Sequence, residues 1–447
     1  MTASAGETRQ SRVLSTLLRP FAKVEPGEAL SVLVLALTVF LVLTAYYLLK
    51  TAREPLILLH GGAEVKSYAG GGQAVLLVLV IRVYSDIARR VARLKLMAIV
   101  YLFFASNLLI FALLTRAGAP IAVPFYLWVG VFNVTAIAQF WSFAADVYTP
   151  EQGKRVFAVL GIGGSTGAVA GGRVAKALVS LGPSGLMLAA ASILVVCLLL
   201  IAVADRRLLP RTSPASRVGQ KDAPLISGSP FRVLARDKYL ILIAALMLLL
   251  NWVNSNGEYL LDRTLLTQMG HLEGKDAERF LGSFKAEYFS WVNLIGMLLQ
   301  FFAVSRILSK LGVRHALLFL PIVAFGSYSI MLAAPLLTLI RMGKIAENSL
   351  DYSVQSTSRQ ALFLVTTPVE KFVGKQVVDT LFMRLGDVLS SLTVAAGSLF
   401  YLPVQAYAAL NLVLIGAWIA VVLGIGREHA RRSRETAPVV ALEPVAA

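Results

Sequence analysis

Residues 336–366 read LLTLIRMGKIAENSLDYSVQSTSRQALFLVT, a membrane-length stretch between apolar runs that nevertheless carries Arg341, Lys344, Glu347, Asn348, Asp351, Gln355 and Arg359. Steps of three and four along Arg341, Lys344, Asn348, Asp351, Gln355 and Arg359 put those side chains on one face of a helix. At bilayer depth each charge costs at least about 2.5–3.5 kcal/mol on insertion scales, so the stripe must face protein or a water-filled path. The mixed signs point to paired charges around a polar solute. An amphipathic helix lying on the membrane surface is the competing explanation. It is disfavoured because other spans repeat the pattern.

Composition supports the membrane reading. Of 447 residues, 57% are apolar and only 15% charged, far too apolar for a soluble chain of this size. Windows of about 20 apolar residues fall near 28–50, 69–85, 95–115, 121–144, 156–179, 185–204, 239–261, 285–304, 314–333, 335–366, 376–400 and 402–426. About twelve transmembrane helices are therefore expected, in an all-α polytopic membrane protein. Continuous apolar runs without period-two alternation exclude a closed β-barrel.

The net charge of +17 reads as topology. Basic clusters at Arg9 to Lys23, Arg89 to Lys95, Lys154 and Arg155, Arg206 to Lys238, Arg306 to Arg314, Lys371 and Lys375, and Arg427 to Arg434 occupy alternate turns. The intervening turns hold few, among them Lys66, Arg116, Arg263, Lys275 and Arg279. Positive residues on one side place both termini in the cytoplasm, in a bacterial inner membrane, and leave nucleic acid no role as a partner. Cys197 lies alone in an apolar run and forms neither a disulfide nor a metal site. His60, His271, His315 and His429 are scattered over turns and ends, so no metal, cofactor or catalytic constellation is expected. The run Gly161 to Gly172 lacks the Gly-Lys-Ser/Thr ending of a phosphate loop. Gly163, Gly167 and Gly171, four apart, suit close helix packing instead.

The polar, Pro- and Ser-rich stretch 205–238 separates six windows from six. The expected organisation is a cytoplasmic segment 1–27, a six-helix bundle 28–204, the linker 205–238, a second bundle 239–426 and a tail 427–447. The halves echo each other: Tyr47-Leu48-Leu49-Lys50 against Tyr259-Leu260-Leu261-Asp262, Tyr148-Thr149-Pro150 against Thr366-Thr367-Pro368, and Ser85-Asp86 against Ser305-Arg306. Two parallel six-helix repeats are the pattern of the major facilitator architecture, with substrate expected near the midplane between the halves. Windows one, four, seven and ten carry the intramembrane polar groups. Thr135, Gln139, Ser142 and Asp146 step by four, three and four, and Asn251, Ser255, Glu258 and Asp262 do likewise.

Several strings resemble the nucleotide (ATP/ADP) translocases of plastids and intracellular bacteria. They are Phe140-Trp141-Ser142-Phe143-Ala144, Tyr148 through Phe157, Gly161-Ile162-Gly163, and Asp351-Tyr352-Ser353 through Arg359-Gln360-Ala361-Leu362-Phe363-Leu364, followed by Lys375 and Asp379. The resemblance implies exchange of ATP for ADP, or proton-coupled import of nucleotides, in a major-facilitator-like fold. It places family positions on Arg53, Glu258, Arg359 and Lys375. The family's acidic residue in span four has no counterpart here, where the stretch reads Trp128-Val129-Gly130.

The expected function is secondary transport of nucleotides or related phosphorylated anions across the lipid bilayer, without enzymatic chemistry. Tyr47, Lys50, Arg53, Gln139, Glu258, Lys344, Asp351, Arg359 and Lys375 are the expected substrate residues, and Glu258, Asp146 and Asp262 the expected gating or coupling acids. The alternatives are export of another anionic or amphipathic metabolite, and a carrier-derived scaffold that moves nothing. A monomer is the plausible state.

Overall fold

The computed structural model describes residues 28–91, 93–148, 150–207, 234, 237–367 and 377–436. Expectations placed on residues 1–27, most of the linker 205–238, Lys375 and the end of the tail lie outside the described residues. The described chain is helical throughout: α1 (Ala29–Arg90), α2 (Arg93–Arg116), α3 (Ala122–Val147), α4 (Pro150–Leu178), α5 (Gly182–Arg207), α6 (Lys238–Met269), α7 (Gly274–Phe302) and α8 (Val304–Ala333) come first. Then follow α9 (Leu337–Leu350), α10 (Met383–Leu399) and α11 (Val404–Thr436). Among the described residues seven helical stretches are long and apolar enough to cross a membrane. Two of them, 29–80 and 155–202, each take in two of the expected windows. Large apolar side chains such as Leu102, Phe103, Ile110, Leu113 and Leu199 stand exposed on these helices, which suits lipid and not water.

The first helix departs from expectation. The helix of the first window runs on through residue 61, and the break before the second window falls at Gly62, whose φ of 71° is open to glycine at little cost. Residues 51–58 are all buried. Lys50, Arg53 and Glu54 therefore lie inside a helix and not at its end. Lys66, expected in a turn, is likewise helical.

Two compact units emerge. The first comprises 1–222 with 261–297, and the second 223–260 with 298–447. The core of the first unit is built on α1, whose Val32, Leu35, Val42, Leu48, Leu49 and Ala52 are wholly buried. The glycine stripe of α4 explains how closely that helix lies to α1. A Cβ on Gly163 would meet the Ala36 carbonyl oxygen at 2.6 Å, one on Gly167 the Phe40 Cα at 2.7 Å, and one on Gly171 the Tyr47 Cβ at 2.8 Å. Backbone approach of this kind replaces the hydrophobic drive that lipid removes. Thr44 Oγ1 adds a hydrogen bond to the Gly167 carbonyl at 3.2 Å.

In the second unit α6 is tied to α10 and α11 by amide and hydroxyl side chains. Asn256 donates to Asn411 Oδ1 at 2.9 Å and accepts from Ser390 at 2.8 Å, while Asn411 donates to the Val253 carbonyl at 3.3 Å. Gly386 allows α10 to lie against the α6 backbone, where a Cβ would sit 2.7 Å from the Leu248 carbonyl oxygen.

Gly167→Val should lower the thermal midpoint of the detergent-solubilised chain, since overpacking of this kind costs about 1–3 kcal/mol. Gly161→Ala, whose Cβ would meet nothing within 4 Å, should leave it level or raise it. Equal midpoints for the two variants would refute the packing role of the stripe.

Candidate functional site

Each unit buries a cluster of charges. In the first, Glu54 on α1 is wholly buried and accepts from Arg53 at 2.9 Å and from Lys66, with Lys285 of α7 at 3.5 Å. Asp262, at the end of α6 that belongs to this unit, pairs with Lys66 at 2.6 Å and with Lys285. Lys285 itself has no exposed surface. Two carboxylates thus hold three cations, and each lone pair aimed at an ammonium offsets part of the several kcal/mol that burying an ion costs.

Aromatic rings complete the surroundings. The Arg53 guanidinium lies 4.3 Å from the Tyr126 ring centre and the Lys50 ammonium 4.1 Å from that of Phe289. Tyr47 donates to Asn293 Oδ1 at 2.8 Å. Gln139 accepts from the Tyr84 hydroxyl. These are the places of Tyr47, Lys50, Arg53, Gln139 and Asp262 among the expected site residues. The side chain of Asp146 lies outside the described residues.

The second cluster belongs to the stretch quoted first. Its α-helix ends at Leu350, widens into a π-turn over Asp351–Gln355, and resumes over Ser356–Leu362. Interruptions of this type concentrate at functional sites. Lys344, Asn348 and Gln355 of the stripe are buried, whereas Met342 and Tyr352 are exposed at 64% and 48%. Lys344 donates to Asn254 Oδ1 of α6 at 2.7 Å and to Glu347 at 3.1 Å. Asn348 donates to Glu258 at 2.9 Å. Arg359 meets Asp351 at 3.7 Å and directs its other terminal nitrogen at the Met247 sulfur, 3.4 Å away. Of the expected residues, the structure thus brings Glu258, Lys344, Asp351 and Arg359 to one helix pair and its neighbours.

Sequence reasoning missed Lys285 and misplaced Lys66. Lys285 sits at the start of an apolar window, and only its position opposite Asp262 reveals its partner. Asp387 and Arg384 were missed too: Ser255 of the polar stripe donates to Asp387 at 2.8 Å and Arg384 pairs with it at 3.3 Å. The spacing of Arg384 and Asp387, three apart on a helix, is the signal that could have found them.

Solved structures with this arrangement of helices include the nucleoside transporter NupG, at 12% identity and a TM-score of 0.65 over 89% of this chain and 98% of that one. A POT family transporter in complex with 5-aminolevulinic acid matches at 13% identity and a TM-score of 0.64, over 90% and 96%. A bacterial homolog of the human lysosomal transporter Spinster matches at 13% and 0.56, over 92% and 98%. The fold is that of the major facilitators. No protein-family model and no curated protein matches the chain.

Asp262→Asn should destabilise the detergent-solubilised protein by about 3–5 kcal/mol, because Lys285 loses its nearest counter-ion. Lys285→Met in the same chain should restore much of that loss, an apolar side chain of similar length replacing the orphaned charge. Additive losses in a thermal-unfolding double-mutant cycle would contradict the pairing.

Proposed function

We propose that this protein is a secondary transporter that exchanges nucleotides of the ATP/ADP kind, or related phosphorylated anions, by alternating access. In this reading it resides in the cell membrane with both termini on the cytoplasmic side, spans it about twelve times, and performs no covalent chemistry on its substrate. The observation that carries the reading is the state of Arg359. Its guanidinium lies within a membrane-length stretch, yet its carboxylate partner is 3.7 Å away, outside hydrogen-bond reach, and its side chain keeps 18% exposure. A planar fork held loosely by one acid suits a phosphate, which it binds by two parallel charge-assisted hydrogen bonds.

Three further features support the same class of solute. Lys344 lies on the same stripe, Lys50 and Arg53 carry aromatic rings beside their charges, and the quoted strings resemble the nucleotide translocases. Lys375 joins the candidate phosphate partners on that resemblance alone. One neighbour in fold is named a nucleoside transporter, and the membrane-depth cations shift our reading from nucleosides to their phosphates. Glu258, bonded to Asn348, is the acid we assign to gating.

Arg359→Ala in proteoliposomes should lose most counterflow of labelled ATP or ADP at equal expression, and Arg359→Lys should recover only part, a point charge being unable to replace the fork. Full counterflow in the alanine variant would remove Arg359 from the site.

Exchange of ATP for ADP moves one net charge, worth about 2.3 kcal/mol per 100 mV. An imposed potential should therefore bias that exchange and leave ADP for ADP unchanged. If neither nucleotide moves, organic phosphates in the same assay test the broader class.

A further inference from the structure

A small cavity within the second unit, of about 10 Å³ and so about the room one water needs, is lined by Glu347, Asp351, Trp418 and Asn254, with apolar walls from Leu250 and Leu320. Three of its buried polar atoms have no hydrogen-bond partner: Glu347 Oε1, Asp351 Oδ1 and Trp418 Nε1. Trp418 is only 2% exposed and Glu347 4%. A buried donor or acceptor left unmade costs about 1–3 kcal/mol, so three around one cavity call for a ligand. The inventory is two acceptors and one donor. One water molecule matches it, accepting from the indole N–H and donating to both carboxylates.

We infer that Glu347 and Asp351, bridged by a water held on Trp418, form a proton-binding dyad. The two acids are four residues apart on one helical path, a spacing that leaves about 5–6 Å between Cβ atoms and room for a bridging water. A metal cation suits the site poorly, because the indole N–H is a donor and the Lys344 ammonium already occupies Glu347 Oε2 at 3.1 Å. A proton from the aqueous phase bonds to a lone pair of Asp351 Oδ1 or Glu347 Oε1, and no other covalent bond changes. The charged and titratable groups facing the dyad are Lys344 and Arg359 on its own path, Glu258 of α6, and Tyr328 of α8. Ser327 of α8 also faces Glu347.

The consequence deepens the transport reading and rests on it in one respect. Protonating Asp351 removes the carboxylate charge that holds Arg359, and a guanidinium so released binds an anionic solute.

Infrared difference spectra of the full chain in lipid nanodiscs, taken between pH 8 and pH 5, test the dyad with the proton as the only probe. A protonated-carboxyl stretch is expected to grow as pH falls, and to vanish in Glu347→Gln with Asp351→Asn. Trp418→Phe should move its midpoint upward by about half a unit or more, since a donor that favours the charged carboxylates is lost. An undiminished band in the double variant overturns the proposal, as does an unmoved midpoint in Trp418→Phe, which decides alone where the double variant fails to fold. A band that behaves as expected, together with no counterflow of nucleotide or organic phosphate by the same protein in proteoliposomes, upholds the dyad and overturns the transport reading alone.

Discussion

No charge persists at membrane depth without a partner inside the protein. A single unpaired ion costs several kcal/mol there, comparable to the whole net stability of many domains. That constraint governs where this chain puts its helices. Glu54 lies in the most buried part of α1 because Arg53, Lys66 and Lys285 surround it. The helix continues past Lys50 because its carboxylate is neutralised there, and it turns only at Gly62, beyond which Lys66 points back to the same acid. The glycines of α4 serve a related economy of space by letting α4 lie directly against the α1 backbone at Ala36, Phe40 and Thr44, before the charged part of the helix.

Much of this was legible in the sequence. The stripe from Arg341 to Arg359 announced a polar face within an apolar span, and it is buried where α6 and α8 cover it. The four-residue spacing of Gly163, Gly167 and Gly171 announced a close helix contact, though it could not name α1 as the neighbour. The all-helical architecture followed from apolar windows alone. What failed was the placing of Lys66 in a turn. It looked solvated, because a sequence window records how polar a residue is and not whether a counter-ion comes from 196 residues away, as Asp262 does for Lys66. Lys285 was invisible for the same reason. The π-turn at Asp351–Gln355 was equally hidden, since one widened turn leaves the three- and four-residue steps almost intact.

The two charge clusters are built on opposite principles. In the first unit Glu54 has three cationic neighbours and Asp262 two, and the cations outnumber the acids. Glu54 in this cluster is saturated: any new anion would have to displace a carboxylate already held by several donors. Its role follows from that excess of partners, which braces the 261–297 segment within the first unit.

On the 337–362 stretch the pairs lie at 3.1 Å for Lys344 with Glu347 and 3.7 Å for Arg359 with Asp351, and each acid keeps an oxygen without a hydrogen bond. An ion pair at 3.7 Å retains most of its Coulomb attraction, which falls only as the inverse of distance, but it has lost the directional hydrogen bond that makes a pair hard to exchange. Exchange of partners is what a carrier requires of its polar groups, because a solute held as firmly as Lys285 is held would never leave. The backbone agrees with the side chains at this point. The helix opens into a π-turn beginning at Asp351, where the regular ladder of i to i+4 bonds is relaxed, so the acid with the looser partner also sits on the less regular backbone. Of the two buried clusters, the one that can trade partners without first breaking a saturated network is the one on 337–362.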